Sequence, residues 1–130
     1  MSYQLTDQEY AAIIEAPAEE RFDYFVAKAV EGDAVWSLRS DAGWVAMSSE
    51  DGEECLPVWP HPDFAAEWAT GDWADCKPAA IPLDTWLERW SSGLAQDKTL
   101  VAVFPNETEE GMVVEPGTLR EALEMELAGR

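Results

Sequence analysis

The sequence predicts an α+β fold: one compact domain in which a mixed or antiparallel sheet of about five to six strands packs with about five helices. Three observations lead there. Apolar residues recur at helical spacing near both ends, at Phe22, Phe25, Val26, Ala29 and Val30 and again at Leu119, Ala122, Leu123 and Leu127. Between them the chain changes to strand-type runs separated by turn residues. The length, 130 residues, suits one domain able to bury roughly two thirds of the surface of its unfolded chain.

The elements follow in order. Thr6 and Glu9 form a capping box for a first helix with Tyr10, Ile13 and Ile14 on its apolar face, and Pro17 ends it. A second helix spans about Ala18 to Glu31, with Gly32 as its stop. Val35 to Arg39 and Trp44 to Ser48 read as a hairpin around Ser40, Asp41, Ala42 and Gly43. Glu50, Asp51, Gly52 and Glu53 make a second turn before a strand from Glu54 to Trp59. Its Pro57 cannot donate to a ladder, so it belongs at an edge, a bulge or the strand's margin.

Pro62 suits the first turn of a helix, Asp63 complements that helix's positive end, and Phe64, Ala65 and Trp68 face inward until Gly71 stops it. Ala79 to Ile81 reads as a short strand. Leu83, Trp86, Leu87, Trp90 and Leu94 then mark a helix with Asp84 as its cap. Thr99 to Phe104 is β-branched and apolar, a buried strand, and Met112 to Glu115 a shorter one. Thr118 and Glu121 give the last helix another capping box.

Acidic residues number 27 and basic residues 8, a net charge of −19 spread along the chain. Nucleic acid and anionic membrane both present dense negative charge, so this field opposes them as partners and favours a basic protein. There is no apolar run long enough for a membrane span and no leader-like N-terminus, which places the chain in the cytoplasm as an expectation. Cys55 and Cys76 are too few for a disulfide framework and are expected as reduced thiols.

The runs VWSLRSDAGWVAM, GEECLPVWPHPDFAAEWATGDW, IPLDTWLERWSSGL and VAVFPNETEEGMVVEP carry a resemblance over most of the chain, from about Phe22 to the C-terminal helix. In this order they resemble the bacterial family catalogued as domain of unknown function 2750, a group of uncharacterised proteins. The hairpin, the Leu-Pro-Val-Trp strand and the short helix after it are also similar, more faintly, to the N-terminal domain of type III secretion enhancer-like proteins. Neither resemblance implies a catalytic residue or a cofactor.

The residues themselves supply no catalytic motif either. No glycine-rich phosphate cradle or nucleophile elbow is present. His61, the lone histidine, sits at a helix start and reads as a cap or packing residue, and Asp63 opposes anion binding there. Cys55, His61 and Cys76 lack the close ligand pair of a structural zinc site. What remains is aromatic. Trp44, Trp59 and Trp73 stand at element boundaries, where an indole is often half exposed, and with His61 they form the candidate binding surface. The expected function is a non-enzymatic interaction or regulatory module; the alternative is a small-ligand binder or enzyme with a pocket between sheet and helices.

Overall fold

Among the described residues, seven short strands form two sheets joined at a backbone bridge. The computed structural model describes residues 4–41, 43–48, 52–106 and 111–129, with only the backbone at Asp72. The first sheet has the order β2-β1-β5, built from β1 (Ala34–Ser40), β2 (Gly43–Trp44) and β5 (Lys77–Pro82), all antiparallel. The second has the order β3-β4-β6-β7, from β3 (Met47–Ser48), β4 (Glu54–Val58), β6 (Leu100–Val103) and β7 (Met112–Val114). Within it β4 and β6 run parallel and the other pairs antiparallel. Just beyond β4, Trp59 exchanges both backbone hydrogen bonds with Trp36 of β1, at 2.8 and 2.9 Å, which ties the sheets together.

The expected second strand of the hairpin, Trp44 to Ser48, is divided between the two sheets. Gly43 and Trp44 pair with β1, whereas Met47 and Ser48 pair with β4. Val45 is the hinge: its N–H still reaches Leu38 O at 3.1 Å, and its side chain is buried. Pro57 lies where its missing N–H is harmless. The ladder with β3 ends at Cys55 and the Trp36 bridge begins at Trp59, so Pro57 falls in the gap between them. Its carbonyl accepts a bond from the buried Ser37 hydroxyl at 2.6 Å. The turn residues Ala42, Glu50 and Asp51 lie outside the described residues.

Helices cover the sheets: α1 (Asp7–Ile14), α2 (Ala18–Gly32), α3 (Pro62–Glu67), α4 (83–96) and α5 (Pro116–Ala128). Thr6 caps α1 as expected, its hydroxyl accepting from Glu9 N at 3.1 Å. The Glu9 carboxylate accepts from the Tyr24 hydroxyl of α2. Other caps differ from expectation. Gly32 continues α2, and Asp33 takes the left-handed turn at φ 57°, a conformation Asp tolerates better than most residues. Asp84 is already inside α4, after Pro82, and accepts only from its neighbour Thr85. In α5 the start is Pro116, so Thr118 lies two residues inside and caps nothing; proline's fixed φ initiates the helix instead. The short strand expected at Ala79 to Ile81 is β5, which pairs with β1 along its whole length.

The core is closed by a buried arginine. Arg21 of α2 is fully buried; its Nε donates to Phe104 O at 2.9 Å and its Nη1 to Ala16 O. Asn106 repeats the tie in reverse, donating from Nδ2 to Ile14 O at 2.7 Å. Phe104 holds a left-handed φ of 54°, which its ring packing and its N–H bond to Val58 O sustain. Beneath, Tyr10 stacks on Phe64 at 4.8 Å between ring centroids, and Phe104 packs on Phe64 at a tilt, at 4.6 Å. Across the β6–β7 connection Gly111 has φ 84°, and a Cβ there would stand 2.4 Å from Val103 O.

Two outcomes follow for urea unfolding. Arg21→Met is expected to lower stability by about 3 kcal/mol, because it strands two carbonyls that a charged donor now satisfies. Gly111→Ala is expected to cost about 2 kcal/mol or more from steric conflict and positive φ together.

Candidate functional site

The four candidate residues separate into two groups. At the first, β4 runs out into the corner before α3. Trp59 is fully buried, at the sheet junction, and its Nε1 donates to Pro105 O at 3.1 Å. Trp68 leans on it at 5.9 Å between ring centroids, and Trp73 on Trp68 at 6.0 Å. Three indoles thus lead from the core to a half-exposed Trp73, which sits in a 3-10 turn (Gly71–Trp73) entered through Gly71 at φ 58°. His61 is the N-cap of α3, its Nδ1 accepting from Asp63 N at 3.1 Å. The residue is 7% exposed and its ring meets Phe64 edge-on, so its visible task is capping and packing.

Trp44 belongs to the second group. It is half-buried, and its ring meets Trp90 of α4 edge-on at 5.0 Å and 87°. Trp90 in turn stacks on the buried Trp86 at 5.8 Å. These two α4 rings come from a π-helical stretch, Trp86–Trp90, closed by the Ser91 N–H and hydroxyl bonding Trp86 O. Such a widened turn shifts the register of the helix face, which a strict α-helical reading of the sequence could not foresee. No ring contact joins the two tryptophan groups among the described residues.

Cys55 and Cys76 are both buried thiols outside any disulfide among the described residues. Among the described residues no group of three His, Cys, Asp or Glu side chains is placed to hold a metal ion. No helix among them is long and apolar enough to cross a membrane.

Arg39 and Lys77, which no motif singles out, line a cleft of about 650 Å³ at one end of the first sheet with Ser40, Asp41, Asp75 and Pro78. Arg39 pairs with Trp44 on one side and Lys77 on the other, so the three form a row across β2, β1 and β5. The guanidinium lies 5.5 Å from the Trp44 ring centre, at cation–π distance. The only advance signal was Arg39 beside a hairpin turn. Its partner came from a strand some 40 residues later, a pairing that periodicity does not encode.

Alanine substitution separates the two ends of the corner. Trp59→Ala is expected to cost about 3–5 kcal/mol, the range for a buried aromatic, whereas Trp73→Ala should cost under about 2 kcal/mol because part of its ring already meets water. Thermal or urea unfolding of both variants reads this difference directly.

No curated protein and no solved structure matches the chain. A family model does, over residues 22–123, which takes in every strand, α3, α4, both tryptophan groups and the cleft. The family is described as proteins of unknown function, and on that match the chain belongs to the DUF2750 family.

Proposed function

We propose that the protein is a non-enzymatic binding module whose Trp73 turn engages a basic protein partner. The observation that carries this reading is the graded stack of Trp59, Trp68 and Trp73. Its inner ring is anchored in the core and its outer ring is offered to solvent at little entropic cost, as a preformed aromatic anchor should be. Exposed acids flank the turn in the chain, Glu67 on one side and Asp75 on the other. An indole framed by carboxylates suits an arginine or lysine of the partner, which gains ring stacking and charge pairing together. The net charge of −19 adds long-range attraction, which speeds encounter and weakens with salt.

The test is capture from a lysate of the native cell with the tagged full-length chain, comparing wild type, Trp73→Ala and Trp73→Phe. The expected result is one stoichiometric partner of basic isoelectric point, released by raised salt, lost with Trp73→Ala and partly kept with Trp73→Phe. Circular dichroism showing both variants fully folded at the capture temperature would assign the loss to the surface. Equal capture by wild type and Trp73→Ala, or no partner on wild type, would overturn the reading.

A further inference from the structure

We propose that the cleft at Arg39 and Lys77 binds a small zwitterion of the amino-acid class, with its carboxylate between the two cations and its ammonium group at Asp41 and Asp75. This site shares Asp75 with the acids beside the Trp73 turn, but its two cations, Arg39 and Lys77, play no part there. The argument starts from a like-charge pair. Arg39 and Lys77 are direct cross-strand partners, an arrangement that is unfavourable on its own. In a chain with only 8 basic residues against 27 acidic ones, ion pairing would be the easy relief. Among the described residues, however, neither cation makes an ion pair. Arg39 is instead positioned over the face of Trp44, whose ring is fixed by Trp90.

A carboxylate placed between them would turn that repulsion into two attractions. Arginine offers a planar fork that matches two carboxylate oxygens, and lysine adds a mobile point charge. The remaining charged groups decide what else the ligand carries. Asp41 lies two residues beyond Arg39 and Asp75 two residues before Lys77, and both line the same cleft. Both are exposed turn residues, Asp41 just after the end of β1 and Asp75 just before the start of β5. A bare oxyanion would meet these two carboxylates and the field of a chain at −19, and a bare cation would meet Arg39 and Lys77. A molecule bearing both charges at close range, with no net charge, complements all four groups. Pro78 and Ala79 supply the short apolar wall for its side chain, and the cleft's volume is in the range of small-ligand sites.

The experiment is calorimetric titration of the full chain at fixed ionic strength. The probes are glycine, L-alanine, L-leucine, L-phenylalanine, L-glutamate and L-lysine, with acetate, methylamine and sodium phosphate as single-charge controls. The expected result is saturable binding of at least one amino acid, with all three controls at least about ten-fold weaker, the equivalent of one lost charge-assisted contact. Arg39→Gln and Lys77→Gln should each weaken that binding about ten-fold or more, and Lys77→Arg should keep it within a few-fold. All these positions are exposed, and equal melting temperatures will show that the variants fold. Phosphate binding as tight as the best amino acid, binding indifferent to Arg39→Gln, or silence from every amino acid would overturn the proposal. None of these readouts involves Trp73 or a protein partner, so this inference and the interaction reading fail separately.

Discussion

The fold hangs on the Arg21 guanidinium. A fully buried arginine is a costly thing to place, because its charge loses water on all sides and must recover hydrogen bonds from the protein. Here the recovery comes from two main-chain carbonyls far apart in sequence, Ala16 O at the α1–α2 junction and Phe104 O just past β6. One side chain therefore fixes where the N-terminal helices sit on the second sheet. Asn106 and the Tyr10–Phe64–Phe104 cluster reinforce the same joint from the other side. The left-handed backbone at Phe104 is sustained within this joint, since its carbonyl is turned to meet the guanidinium while its N–H meets Val58.

Local chemistry was legible where the deciding interaction was local. The Thr6 cap, the α2 face through Phe25, Val26, Ala29 and Val30, the buried β6 and the proline start of α3 all follow from neighbours within a few residues. What escaped depends either on distant partners or on a choice between adjacent capping residues. Trp44 to Ser48 looks like one strand because alternation continues through it, yet two different strands claim its halves. A tertiary pairing overrode the local pattern. Gly32 resembles a helix stop, but Asp33 took the left-handed position one residue later, and Pro116 started α5 before the Thr118 box could act.

The candidate site was legible in the same partial way. Boundary position raised half exposure for Trp44, Trp59 and Trp73 alike; Trp73 and Trp44 are half-buried, because both end an element where packing covers one side of the ring only. It failed to distinguish Trp59, which sits at a boundary in sequence but at the seam between sheets in space. Arg39 and Lys77 gained their meaning only when β1 and β5 came together. Aromatic support and charged groups are therefore arranged on two separate parts of the scaffold, one beside α3 and one backed by α4.

The parallel pairing of β4 with β6 governs how this chain must fold in time. Everything from Trp59 to Thr99, including α3, β5 and α4, intervenes between the two strands, and β5 belongs to the other sheet. Closing so long a segment carries an entropic cost before the pair contributes anything, so this contact forms late relative to the β1–β2 turn. A nascent chain that has not yet produced β6 exposes the apolar edge of β4, Cys55 to Val58, as an open template for other strands. During synthesis the dense negative charge of the rest of the chain then acts as a guard, keeping such incomplete copies apart until the missing strand arrives.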